Sequence, residues 1–196
     1  LAPAVAEVPD LGPAPAWLGW DHPGAELWPA PDDGPEDLNA TVAPGWLTDA
    51  AGQVRAVLRS STAPLVIGHG DWEAQNVYWD GDRLAVVHDW DSLAALPEAA
   101  LAGAAAGVFA VAGSEPGWPS LADSRGFLAG YIGAREPGAG RPESPSWTDD
   151  DERTFWAAGL WVHLFNAQKA IARGTFGRYA ERVRQRVRER LPLIVG

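Results

Sequence analysis

The run His69-Gly70-Asp71-Trp72-Glu73-Ala74-Gln75-Asn76 and the later His88-Asp89-Trp90-Asp91 hold the side chains of this chain best suited to chemistry. Asp71 and Asn76 share one loop. Asp89 ends an adjacent predicted hairpin, so three oxygen-bearing side chains can meet at one point. That donor set suits a hard cation: magnesium prefers oxygen ligands and usually takes one or two from the protein, completing its shell with water and substrate phosphate. Asn76 and Asp89 fit the metal role. Asp71 then remains clear to accept a proton from a hydroxyl as its oxygen attacks phosphorus. The plainer alternative is a set of loop polars that cap neighbouring strands and helices. For Asp91, metal ligation and helix capping both stay open. His69 is expected to orient the loop through backbone hydrogen bonds, and His88 reads as a strand residue. Glu73 faces either water or a cationic substrate.

These residues need elements to carry them. Leu65 to Ile67 is a short β-prone run leading into His69. Asn76–Trp79 and Leu84–Val87 flank Asp80-Gly81-Asp82-Arg83, which predicts an antiparallel hairpin between the two acidic motifs. Upstream, Trp46, Leu47, Ala50, Val54, Val57 and Leu58 fall at helical spacing, with Pro64 beyond. Downstream the pattern reads as helical throughout: Pro97–Ala112, Leu121–Ile132, a Gly/Pro-rich break over Gly133–Pro145, Asp149 to about Arg173, and Phe176–Leu191. Thr148 followed by four acidic residues is a helix-start signal, in which a side-chain cap and anions meet the positive end of the helix dipole. Residues 1–45 carry nine prolines among Trp17, Trp20 and Trp28. Helix is broken repeatedly there, which predicts a segment that wraps over a surface and forms no core of its own. The expectation is a single domain over 1–196, α+β and mostly helical with a small β-hairpin.

Composition narrows the function classes. The 196 residues, with 46% hydrophobic content and 11 Trp, are enough for a packed core. Absence of cysteine excludes disulfides, thiolate chemistry and Cys-ligated metals. A net charge of −11 opposes general affinity for nucleic acid or anionic membrane and favours cationic small molecules. Basic residues concentrate from Lys169 to Arg190, where the helix is expected to lie against the chain's own carboxylates. Ala99–Gly113 is uncharged but shorter than the ~20 residues of a membrane span, and reads as a buried helix. Trp156, Leu160, His163, Leu164 and Ala167 repeat at helical spacing and read as core. No signal-peptide pattern opens the sequence, so a cytoplasmic location is expected.

His69-Gly70-Asp71-x4-Asn76 together with Asp89-Trp90-Asp91 resembles the catalytic loop and metal motif of the aminoglycoside phosphotransferase family, small-molecule kinases with a protein-kinase-like fold. The resemblance covers Gly68 to Asp91 directly, and the helices that follow are consistent with that family's C-terminal lobe. It implies Asp71 as catalytic base, Asn76 and Asp89 as ligands of Mg²⁺ on ATP or another nucleoside triphosphate, and a small, cationic hydroxyl compound as acceptor. The family's N-terminal nucleotide lobe has no counterpart here. Residues 1–67 lack a Gly-rich loop flanked by strands, and the single lysine is Lys169. With Leu at position 1 and no Met, the chain is expected to be a truncated or processed piece, inactive alone, whose nucleotide lobe is supplied in cis or in trans. Two other readings stand beside it: a non-catalytic module that binds a metabolite or partner, and a metal-dependent hydrolase using His69, Asp71, His88, Asp89 and Asp91.

Overall fold

The computed structural model describes residues 11–109, 118–135 and 146–196. Within them the chain is α+β and mostly helical, with two small two-stranded sheets beside its helices in the chain order.

The body is built on the longest helix. Thr148 accepts a hydrogen bond from the Asp151 amide at 3.1 Å, and the Asp151 carboxylate accepts one from the Thr148 amide at 2.9 Å. This reciprocal box starts the helix Asp149–Ala172 where the acidic run predicts it. Phe155, Leu160, Trp161, Leu164 and Phe165 are fully buried along it. An earlier helix, Gly45–Ser60, is α1; it packs Leu47, Ala50, Val54 and Leu58 against the same core. The Ala/Gly-rich helix Glu98–Val108 is α2, and small residues are what allow it to cross the long helix closely. A methyl group at Gly103 would run into the Phe155 carbonyl, and one at Gly107 would lie 2.9 Å from the Gly159 oxygen. Leu121–Arg135 is α3, the long helix is α4, and Ala180–Val195 is α5.

Among the described residues there are four strands: β1 (Leu65–His69), β2 (Val77–Asp80), β3 (Arg83–Val87) and β4 (Leu93–Pro97). The predicted hairpin forms from β2 and β3, with Gly81 at φ 60° in its turn and a bulge between Tyr78 and Trp79. The second sheet departs from expectation. β4 pairs antiparallel with β1, His69 opposite Leu93 and Leu65 opposite Pro97, where sequence periodicity predicts only helix after the hairpin. Leu93-Ala94-Ala95-Leu96 has no β-branched residue, and its extended form comes from the partner strand rather than from its own propensity.

Helix ends differ from expectation as well. α2 runs only to Val108, while residues 110–112 of its predicted span lie outside the described residues. α3 continues through Gly133 to Arg135, into the predicted break, whose remainder at 136–145 lies outside them. Phe176–Arg178 forms a separate 3-10 turn, and α5 starts at Ala180 and continues past Pro192.

The proline-rich segment, described from residue 11, sends its apolar anchors into the helical body. Leu18, Trp20, Trp28 and Leu38 are each 3% exposed or less, so its anchors belong to the core. Trp28 packs on Trp161 with ring centroids 5.2 Å apart. Prolines prevent regular backbone pairing, and side chains from the helices take up the free carbonyls instead. Arg55 donates to the Trp20 carbonyl at 2.7 Å and the Glu26 carbonyl at 2.6 Å; Gln168 donates to those of Leu38 and Thr41. Lys169 and Arg173 pair with Asp33, and Arg173 also with Glu36.

The basic tail lies only partly on carboxylates. Arg188 faces Glu181 and Arg190 faces Glu189, but buried Arg186 and Arg190 converge on the Pro119 carbonyl ahead of α3. His163 is core, as expected: it stacks on Trp118 at 4.9 Å, and burial pushes its pKa down to about 3. Among the described residues no helix is long and apolar enough to cross a membrane.

Candidate active site

His69 joins the two acidic motifs. At the end of β1, its Nδ1 lies 3.2 Å from the Asp71 amide, which donates to it. Nε2 must then carry the ring proton, and it donates to the His88 carbonyl at 2.7 Å. Ser92 Oγ lies 3.3 Å from His69 Nδ1 and donates to the Asp89 carbonyl at 2.8 Å. One imidazole thus touches the backbone beside Asp71 and beside Asp89, the orienting role expected of it. Trp72 and Trp90 meet its ring edge-on at 5.7 and 5.6 Å. Both ring nitrogens are engaged, which removes His69 from the ligand set of the hydrolase reading. Among the described residues no three His, Asp or Glu side chains form a metal cage.

Asp71 is half-buried and hydrogen-bonded to Asn76, whose Nδ2 lies 2.9 Å from the Asp71 carbonyl and 2.9 Å from its carboxylate Oδ2. The short turn Ala74–Asn76 carries Asn76 back to Asp71, and the Asn76 carbonyl accepts the His88 amide at 2.8 Å. Loop and hairpin are therefore fastened at Asn76 as well as at His69. With its nitrogen committed to Asp71, Asn76 has its amide oxygen left for another partner.

Asp89 adopts a left-handed backbone, φ 63° and ψ 46°, at the start of the turn Trp90–Ser92. Asp tolerates that region better than most residues. Its carboxyl is held above the usual range by a hydrogen bond with Asp91, by desolvation, and by the charges of Asp91 and Asp71. Asp71 and Asn76 are thus joined by a hydrogen bond, and Asp89, with Asp91 beside it, lies near enough to Asp71 to feel its charge. The capping role left open for Asp91 is not realised: it lies inside the turn, and Pro97 occupies the N-cap position of α2. His88 sits just beyond β3, exposed, with its ring edge-on to Tyr78 at 6.2 Å.

A cleft of about 150 Å³ opens at Asp71. Glu73, Gln75, Trp17, Val162 and Asn166 line it with Asp71. The indole of Trp17 is fixed by donation to the Gly70 carbonyl at 3.1 Å. Burial, and then the charge of Asp71, raise the Glu73 carboxyl above its ordinary value. Sequence reading passed over Trp17 and Asn166. The signal for Asn166 was present: it is the one exposed residue between Thr154 and Gln168 in α4, a polar side chain within a buried apolar run. Trp17 had no comparable signal, because its approach depends on how the proline-rich segment folds back.

Comparisons of the chain with family models, with curated proteins and with solved structures find no match.

Proposed function

We propose that this chain is the catalytic-loop lobe of a magnesium-dependent phosphotransferase, which moves a phosphoryl group from ATP or a related nucleoside triphosphate to a hydroxyl of a small, amine-bearing molecule. The observation that carries this reading is the Asp71–Asn76 hydrogen bond, with the Asp89–Asp91 carboxyl pair near enough for Asp89 to feel the Asp71 charge and with Asp71 lining a cleft.

The donor set fits magnesium. The free amide oxygen of Asn76 and the exposed carboxylate of Asp89 are hard oxygen donors, few enough to leave room for water and phosphate. Bound there, the ion would neutralise charge developing on the transferred group. Asp71 accepts the acceptor's hydroxyl proton, with its carboxylate held in place by Asn76. His69 keeps the loop and the Asp89 turn in register. Glu73 and the Trp17 indole offer an acidic and aromatic surface to an ammonium group. The reading also requires a lobe that covers the nucleotide, contributed in cis or in trans. Tyr78, Trp79, Leu84 and Val86 on the hairpin, and Trp90 in the turn that follows it, are exposed apolar side chains that such a lobe would cover.

One observation favours the second reading, a binding module without transfer. Lys169 is the chain's single lysine, and its ammonium lies 2.8 Å from Asp33, committed to holding the N-terminal segment. A lysine for the phosphates has to come from elsewhere. The deciding experiment is a transfer assay with labelled ATP, Mg²⁺ and a panel of amino alcohols, amino sugars and polyols. It is run on the full-length protein carrying this chain and on its Asp71→Ala variant. Labelled product, lowered roughly 10²-fold or more by the substitution, supports the phosphotransferase. Saturable acceptor binding without labelled product supports the binding module, and turnover indifferent to Asp71→Ala removes the assigned base.

A further inference from the structure

A larger cavity, about 950 Å³, opens between α3 and α5 and shares no lining residue with the cleft at Asp71. Its walls are apolar on one side, with Phe109, Leu121 and Phe127, and polar on the other, with Gln185 and Arg186. Arg186 is 7% exposed. Its guanidinium rests over the Trp118 ring at 5.0 Å and donates to the Pro119 carbonyl at 2.8 Å, and its Nε is buried without a partner. No carboxylate among the described residues forms an ion pair with it. Glu189, whose charge acts on Arg186 without an ion pair, is taken by Arg190 at 3.3 Å and by Gln185 at 2.7 Å. Asp123, also on the cavity wall, accepts from the amide and hydroxyl of Ser120. Arg190 and Arg182 add positive charge nearby.

A buried guanidinium without a counter-ion is unfavourable, and an anion that reached it would gain a charge-assisted bond in a poorly solvated place. Burial and the neighbouring Arg190 push the Arg186 guanidinium down to about 10, against a smaller opposing effect of the Glu189 charge. Trp118 has His163, Tyr179 and Arg186 against its ring, and the other apolar side chains on the cavity wall include Phe109, Leu121 and Phe127. We infer that this cavity binds a small organic anion, whose carboxylate or phosphate pairs with Arg186 while a flat apolar body lies against Phe127. The site does not depend on the phosphotransferase reading.

Calorimetric titration and thermal melts with benzoate, phenyl phosphate and the uncharged benzamide test it. Benzoate or phenyl phosphate binds and raises Tm, the tighter of the two naming the preferred head group, and benzamide binds at least about tenfold more weakly. Arg186→Gln weakens the anion about tenfold or more. Because Arg186 also holds the Pro119 carbonyl, Gly126→Leu provides a second variant. A Cβ at Gly126 meets open space, so leucine there enters the cavity without a backbone clash. That variant stays folded and loses binding, whereas Asp71→Ala leaves it unchanged. Equal affinity for benzamide, no binding of either anion, undiminished binding by folded Gly126→Leu, or loss of binding in Asp71→Ala would each overturn the inference.

Discussion

A single carboxamide nitrogen on Asn76 bridges two oxygens of Asp71, the backbone carbonyl and carboxylate Oδ2, each at 2.9 Å. The loop of four residues between them is closed on itself, which fixes the orientation of the Asp71 carboxylate. Asn76→Ala frees that carboxylate and leaves the Asp71 carbonyl short of a donor. In the transfer assay, kcat should fall about tenfold or more and the Mg²⁺ requirement should rise, with a loss of about 1 kcal/mol in a urea melt. Asn76→Asp sets a carboxylate against Asp71, and is expected to damage kcat at least as much.

Asp89 separates function from stability. Its carboxyl shares a hydrogen bond with Asp91 and feels the charge of Asp71, and its backbone is left-handed. Asp89→Asn keeps a residue type that tolerates this conformation and removes a negative charge from among like charges. Tm should be unchanged or higher, while the Mg²⁺ concentration for half-maximal activity rises about tenfold or more. Asp89→Ala should cost about 1 kcal/mol more than Asp89→Asn, from the left-handed backbone alone. Thermal melts of the two variants in metal-free buffer measure that difference.

Two helical glycines should respond with opposite sign. Gly103→Ala places a methyl group into the Phe155 backbone at the α2–α4 crossing, where no rotamer change relieves the clash. A loss of about 1–3 kcal/mol is expected, read as a lower urea midpoint at constant slope. Gly126→Ala meets nothing within 4 Å, and should gain about 0.5–1 kcal/mol from helix propensity and reduced unfolded-state freedom.

Acid should release the N-terminal segment before it melts the core. The hydrogen bond from Lys169, with that from Arg173, holds the Asp33 carboxyl below its ordinary value, against a smaller opposing effect of burial. An acid with a lowered folded-state pKa stabilises the fold above its unfolded pKa, and loses that contribution as pH falls through the folded value. Hydrogen exchange around residues 28–41 should therefore accelerate below the usual carboxylate range while α4 remains protected. Asp33→Asn should remove part of this acid dependence, the Glu36–Arg173 pair retaining the rest, and leave α4 protected; equal acceleration of both regions would contradict the assignment.

Local chemistry made much of this protein legible from sequence. The Thr148 cap, the helical periodicity of α1 and α4, and the turn around Gly81 each depend on near neighbours in the chain. Tertiary structure decided the rest. β4 is extended because β1 pairs with it, against the preference of its Leu/Ala run. The proline-rich segment enters the core because Arg55 and Gln168 satisfy carbonyls that proline leaves unpaired. Trp17 and Asn166 reach the cleft at Asp71 from opposite ends of the chain, and Arg186 is buried without a carboxylate because Trp118 and Pro119 fold over it. Sequence spacing reports what neighbours in the chain do to one another; burial and unmet charge arise only when distant segments pack.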